Sequence, residues 1–195
     1  MKVIVDMYIT LFPVILAGIF NMIFVKLPVL NVLKYPIDNN KTLKDGKRIF
    51  GDNKTWKGFL GMVVFAAIST VIWGVICSLN KAIYQNNLSY SYHKNIFTFN
   101  IILGLALGLA YALCELPNSF FKRRVGIEPG KSINKKNGYV FIIIDQVDSL
   151  FGCAFVISLV SSMTLPYYLI CVFLGGVTHY ILNVLLYLLK LKKNI

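Results

Sequence analysis

The sequence predicts an all-α, polytopic integral membrane protein with about five transmembrane helices and basic loops on the cytoplasmic side. The 195 residues are 57% hydrophobic and only 14% charged, which is too apolar for a water-soluble domain of this length. Charge-free stretches reach the roughly 20 residues that a helix needs to cross the roughly 30 Å hydrocarbon layer. Basic residues are concentrated in alternate loops, as in membrane proteins of fixed orientation.

The five predicted spans end where a charged residue would have to leave hydrocarbon, or at a tight connection. They cover residues 7–25, 58–80, 95–114, 139–163 and 165–189. The first is interpreted as a retained span, because it is too long for the apolar region of a signal peptide and lacks a small-residue cleavage site. We expect residues 1–195 to form a single membrane-embedded domain.

The orientation in the cell membrane follows from the lysines and arginines, because short loops rich in them stay in the cytoplasm. These residues fall mainly in the first loop, in the loop after the third span and in the C-terminal tail. The N-terminus is therefore predicted outside and the C-terminus inside. The four cysteines lie in or near spans with no close pair, so neither a disulfide nor a zinc site is predicted.

Two aspartates, Asp145 and Asp148, lie within the fourth span. A carboxylate at mid-depth costs about 2.5–3.5 kcal/mol on insertion scales, and a spacing of three puts both on one helix face, where they repel. They would lie roughly 10–14 Å below the cytoplasmic surface. Such a pair suits Mg²⁺, which is often held by carboxylates together with substrate phosphates, and Gly152 nearby would leave room for a ligand. The alternative is a pair bonded to neighbouring helices without a ligand.

Two inner loops supply the complementary positive charge. Residues 45–58 read DGKRIFGDNKTWKG and carry four basic residues among glycines, and residues 115–138 again mix cations with Gly and Pro. Glycines let backbone N–H groups approach an anion. Topology or anionic lipid alone would explain the charge, but the acidic residues, glycines and prolines favour a polyphosphate site. The Walker spacing is absent. His179 and Asn183 share a face of the fifth span, and interhelical hydrogen bonds are the favoured interpretation of that pair.

These motifs together resemble the CDP-archaeol synthase family and, more distantly, the CDP-diacylglycerol synthases. The resemblance rests on the five-span layout, on DGKRIFGDNKTWKG, on ELPNSFFKRRVGIEPG from residue 115, and on DQVDS from Asp145. The diacylglycerol enzymes have a Lys-Asp pair and a Gly-rich, His-containing stretch where this chain reads GIEPGKSINKKNGYVF. That departure favours the archaeol branch.

The resemblance implies transfer of a cytidylyl group from CTP to the phosphate of a membrane lipid, with release of pyrophosphate. It implies Mg²⁺ on Asp145 and Asp148, with Glu128 as a third acidic ligand, and catalytic phosphate contacts from Lys122 and Arg123. The remaining residues expected to bind the nucleotide are Lys47, Arg48, Asp52, Lys54, Thr55, Asn118 and Ser119.

The expected partners are CTP, a lipid phosphate and the bilayer. No nucleic acid is expected, and a homo-oligomer is compatible with the sequence. A CDP-diacylglycerol synthase acting on phosphatidate is the first alternative. An ion-coupled transporter is another, but it would show repeated halves and a pathway to the outer face. A scaffold protein that binds anionic lipid would leave the buried aspartates without a purpose.

Overall fold

The structure is a computed structural model that describes residues 2–129 and 138–188, with side chains from residue 140 onward in the second range. Its five long helices are α1 (Lys2–Lys26), α2 (Trp56–Leu79), α4 (Phe97–Arg124), α5 (Gly138–Val160) and α6 (Leu165–Leu188). A short helix, α3 (Lys81–Asn86), follows α2. All five long helices are apolar and long enough to cross a membrane, so the all-α, five-span prediction is confirmed. The basic residues within 130–137 and after residue 188, which the sequence predicts on the cytoplasmic side, lie outside the described residues.

The third span differs from the prediction at its C-terminal end. The sequence predicts an end at residue 114, but α4 continues to Arg124 with Pro117 inside the helix. The charged residues that suggested the end of the span instead form a helical extension beyond hydrocarbon, and basic residues are favourable in the last turn of a helix. Residues 115, 118, 119 and 122 therefore lie on one face of α4, because their spacing follows the helical repeat.

Small residues allow the long helices to approach closely, which is the usual basis of packing between membrane helices. A Cβ added at Gly108 of α4 would lie 2.5 Å from Val63 Cα of α2. A Cβ at Gly152 of α5 would lie 2.7 Å from Ala110 O of α4. The expectation that Gly152 leaves room for a ligand is therefore wrong, because this glycine is occupied by a helix–helix contact.

The end of the bundle formed by α3 and the α2–α4 connection is filled by aromatic and amide side chains. Trp73 Nε1 donates to Ile9 O at 2.9 Å, and Tyr90 Oη donates to Asn100 Oδ1 at 3.0 Å. Tyr90 and Asn100 are both buried. The candidate functional residues lie at the opposite end of the bundle, beside the α1–α2 loop and the end of α4.

Candidate functional site

A polar cleft of about 420 Å³ opens at the end of the bundle that carries the α1–α2 loop. Its volume falls within the roughly 300–1,000 Å³ of small-molecule sites. All five long helices and the loop contribute to its wall. The polar residues lining it are Asn21, Lys26, Asn53, Lys54, Thr55, Tyr111, Glu115, Asp145, Gln146, Asp148, His179 and Asn183.

The two aspartates of α5 line this cleft and contact α4 directly. Asn118 Nδ2 donates to Asp145 Oδ1 at 2.6 Å and to Asp148 Oδ2 at 2.8 Å. Lys122, one turn further along α4, forms an ion pair with Asp145. The second oxygen of Asp148 accepts from the backbone N–H of Ser149 at 2.7 Å. The extension of α4 thus supplies both the amide and the cation that hold the carboxylates.

Lys54 and Glu115 form a second ion pair in the wall of the cleft. Each side chain is about one-quarter exposed. Burial alone would lower the pKa of Lys54, but the carboxylate of Glu115, with Asp148 and Asp145 further away, raises it above its ordinary value. Lys54 is therefore a cation at neutral pH. Sequence analysis did not select Glu115 as a site residue. Its helical spacing from Asn118 and Lys122 is a signal only when the helix is extended beyond residue 114.

The oxygen atoms in the cleft suit a cation. The described residues that meet there carry three carboxylates (Glu115, Asp145 and Asp148), and the ammonium groups of Lys26, Lys54 and Lys122 balance their charge. Asn118 Oδ1, beside the two aspartates, is buried without a hydrogen-bond partner. These are hard oxygen donors of the kind that Mg²⁺ prefers.

A metal ion bound there would take part of its coordination from elsewhere. Within residues 2–129 and 138–188, no three His, Cys, Asp or Glu side chains are close enough to form a ligand group. Mg²⁺ usually keeps waters and substrate phosphate oxygens as ligands beside one or two carboxylates. The residues present fit that mode.

Glu128, the expected third acidic ligand, is exposed and follows the end of α4. It is absent from the residues lining the cleft. The structure therefore does not bring Glu128 together with Asp145 and Asp148. Glu115 occupies the acidic position in the wall instead, because α4 remains helical beyond the predicted end of the span.

Arg48 and Asp52 stabilise the α1–α2 loop rather than line the cleft. Arg48 pairs with Asp38 at 2.5 Å and with Asp52 at 2.6 Å. Asp38 also accepts from the backbone N–H groups of Phe50 and Gly51, each at 3.0 Å. Burial would raise the pKa of Asp38, but the hydrogen bonds from Arg48 and from these two N–H groups outweigh it and lower the pKa to about 2. The loop therefore has its own ionic core.

Three other basic residues also bind protein groups outside the cleft. Lys47 Nζ donates to Arg124 O at 2.7 Å, and the buried Arg123 donates to Ile127 O. Lys57 is fully buried and donates to two backbone carbonyls after α1. Of the four basic residues of residues 45–58, only Lys54 lines the cleft. The expectation that all four neutralise one anion is wrong, because backbone carbonyls bind Lys47 and Lys57 and carboxylates of the loop bind Arg48.

The remaining predicted residues lie at or beside the cleft. Thr55 lines it, and its Oγ1 accepts from Gly58 N at 3.2 Å as the N-cap of α2. Ser119 is buried on α4, where its hydroxyl donates to Glu115 O at 3.0 Å. Asn183 Nδ2 donates to Gln146 Oε1 at 2.9 Å across α5 and α6, which is the interhelical hydrogen bonding that the sequence favoured.

Comparisons with known proteins agree on one family. The family model described as CarS-like, CDP-archaeol synthase, matches residues 1–195. The CDP-archaeol synthase of Pyrobaculum islandicum is 30% identical over 162 residues, which is 83% of this chain and 82% of that protein. The enzyme of the same name from Methanoculleus marisnigri is 30% identical over 166 residues, covering 81% of this chain and 87% of the relative.

A solved structure shares the fold. It is described as an intramembrane enzyme for archaeal membrane lipids biosynthesis, and it superposes with a TM-score of 0.61. The match covers 91% of this chain and 92% of the other, at 22% sequence identity. The two chains therefore share one fold.

Proposed function

The chain belongs to the CDP-archaeol synthase family, and from this premise we propose that it transfers the cytidylyl group of CTP to an archaeol-type diether lipid phosphate, releasing pyrophosphate. The observation that carries the proposal is the cleft at one end of the bundle, where α4 and α5 bring a pair of carboxylates together with lysines. The relatives favour this function over a phosphatidate enzyme or an ion-coupled transporter.

The reaction needs positioning and charge neutralisation more than proton transfer. A phosphate oxygen of the lipid attacks the α-phosphorus of CTP, a new P–O bond forms, and the bond from the α-phosphorus to the bridging oxygen breaks. Pyrophosphate leaves with that electron pair. The attacking phosphate is already ionised, so no general base is required, and catalysis depends on alignment and electrostatic stabilisation.

Asp145 and Asp148 would hold Mg²⁺, which when bound neutralises charge on the triphosphate. Lys122 neutralises Asp145 in the absence of ligands, and it lies within reach of any phosphate that approaches that carboxylate. We assign it to the phosphates once Asp145 engages the metal. Lys54 is the second cation that we assign to the phosphates, and Glu115 keeps it charged and oriented.

The other predicted residues have supporting roles in this proposal. Thr55, Asn118 and Ser119 lie close enough to the cleft to orient its groups through hydrogen bonds. Lys47, Arg48, Asp52 and Arg123 hold the loop and the end of α4 in place. Their contribution to nucleotide binding is therefore indirect.

The lipid substrate accounts for a second, apolar cavity between α1 and α6. Its wall includes Leu11, Val14, Leu150, Leu182 and Leu186, and it shares Gly18, Met22, Tyr111 and His179 with the polar cleft. A lipid phosphate in the cleft would thus have its chains in an apolar groove. We propose a multi-pass cell-membrane protein whose cleft faces the cytoplasm, where CTP is available, with the N-terminus outside.

The test is turnover by the purified protein in detergent with Mg²⁺ and radiolabelled CTP. Geranylgeranyl-diether phosphate, phosphatidate and an isoprenyl phosphate are offered separately. Formation of a labelled lipid and pyrophosphate with the diether alone is the expected result. Preference for phosphatidate would reassign the acceptor, and failure with all three acceptors would overturn the proposed function.

A further inference from the structure

Residues 27–35, which lie between α1 and the polar part of the α1–α2 loop, are mostly apolar and mostly exposed. We name them the interfacial segment; they read LPVLNVLKY. Val32 is 82% exposed, Leu30 58% and Tyr35 50%, and Leu27 and Val29 are almost half exposed. A contiguous apolar patch of this kind is unfavourable in water and marks a surface that contacts something else.

Both ends of the interfacial segment are tied to the first turn of α2. Lys57 Nζ donates to Leu27 O at 2.8 Å and to Val29 O at 2.6 Å. At the other end, the backbone N–H of Trp56 donates to Tyr35 O at 3.1 Å. The segment is therefore held level with the start of α2, where that span leaves hydrocarbon.

The backbone conformation of Leu30 is a further indication that the segment lies in an apolar medium. Leu30 has a φ of 50°, in the left-handed region that glycine and asparagine adopt at lower cost. A turn facing water would favour one of those residues. A leucine at this position is explained when its side chain gains contact with an apolar medium.

The apolar surface of the segment continues the lipid-facing side of α1, where Phe20 is 40% and Ile23 is 48% exposed. Two exposed lysines accompany it: Lys26 immediately precedes the segment, and Lys34 lies near its end. Apolar side chains beside lysines are typical of elements that lie in the headgroup region, where the cations meet lipid phosphates.

We propose that the interfacial segment is a membrane-interface anchor, with its apolar side chains immersed at the boundary between headgroups and acyl chains on the cleft side. The ionic part of the loop, residues 38–52, stays in water. The anchor fixes the height of the loop, which supplies Ile37, Lys54 and Thr55 to the cleft wall, relative to the lipid surface. The proposal does not depend on the reaction that the cleft performs.

The test places an environment-sensitive fluorophore on Val32→Cys in nanodiscs of phosphatidylcholine and phosphatidylglycerol. Leu43→Cys is the matched control, because Leu43 is an exposed apolar residue (42%) in the ionic part of the same loop. Cys77, Cys153 and Cys171 are buried, and labelling of the parent chain measures the background from Cys114. Both labelled positions are exposed, so neither substitution threatens the fold.

The label at Val32 is expected to emit at shorter wavelength, to be quenched by nitroxides on shallow acyl-chain positions, and to be quenched several-fold less by aqueous iodide than the label at Leu43. Equal iodide quenching at the two positions, without nitroxide quenching, would overturn the proposal. Shielding of Val32 from both quenchers would also overturn it, because it would reveal a protein partner. Leu30→Asn, which tolerates the positive φ, should reduce nitroxide quenching at Val32, and unchanged quenching would count against the anchor.

Discussion

Replacing Asp148 by asparagine should abolish turnover and at the same time raise the thermal stability of the metal-free protein. Asn118 Nδ2 lies 2.6 Å from Asp145 Oδ1 and 2.8 Å from Asp148 Oδ2, so the two carboxylate oxygens are no more than about 5.4 Å apart. At about 5 Å and an effective dielectric constant of about 20, two unit charges repel by about 3 kcal/mol. Asparagine removes that repulsion while preserving the size of the side chain.

The net stabilisation is smaller than the bare repulsion. Lys122 is paired with Asp145, and Lys54 attracts Asp148, so the gain should be on the order of 1 kcal/mol. In a chain of this length that corresponds to a rise in Tm of roughly 2–4 °C. Turnover should fall because one of the two carboxylates that would hold Mg²⁺ is lost.

The assay pairs thermal unfolding in detergent, without Mg²⁺ or nucleotide, with pyrophosphate release in their presence. Asp45→Asn is the matched control, because Asp45 binds Arg124 outside the cleft. This variant should retain turnover and be slightly less stable than the parent protein. Opposite behaviour of Asp148→Asn, with lower stability and retained turnover, would refute the reasoning. The aspartate pair would then be a structural hydrogen-bonding element.

Three further changes probe the phosphate contact, the loop and the helix packing. Lys122→Ala should weaken CTP binding by about 10- to 100-fold in calorimetric titration, since one charge-assisted hydrogen bond contributes about 1.5–3 kcal/mol; unchanged affinity would remove Lys122 from the phosphate site. The pKa of Asp38 in the folded protein, about 2, lies below the ordinary 3.8, so the ionised carboxylate stabilises the fold above pH 4. This contribution of about 2 kcal/mol is lost as the pH falls towards 2. Asp38→Asn should therefore weaken the pH dependence of the unfolding free energy between pH 4 and pH 2. Gly152→Ala should lower the unfolding free energy by about 1–3 kcal/mol, because the new Cβ would lie 2.7 Å from the Ala110 carbonyl oxygen. CTP affinity should not change. A loss of affinity without a loss of stability would instead indicate that residue 152 contacts the ligand.

The spans could be predicted from the sequence because the hydrocarbon layer penalises every charge locally. The end of α4 could not, since Glu115 and Pro117 satisfy the rule for leaving the membrane even though the helix continues into water as far as Arg124. A hydropathy pattern detects the edge of the bilayer and not the end of a helix. The same limitation hid the shared face of Glu115, Asn118 and Lys122.

The candidate site was partly predictable for a similar reason. Asp145 and Asp148 are conspicuous because burying two carboxylates is costly wherever the rest of the chain lies. The pairing of Lys54 with Glu115 joins residues 61 apart in sequence, and no local pattern encodes it. Sequence likewise could not distinguish Lys54, which lines the cleft, from Lys57, which is buried on backbone carbonyls.

The sequence by itself determined the solvent of this protein, the number of its spans and the presence of an expensive acidic pair, because each follows from the free energy of transferring a residue into lipid. Tertiary structure alone decided which cations face the carboxylates and which are bound by carbonyl and acidic groups of the loop. That choice depends on distances between elements far apart in the chain, and electrostatic interactions depend on such distances rather than on residue order.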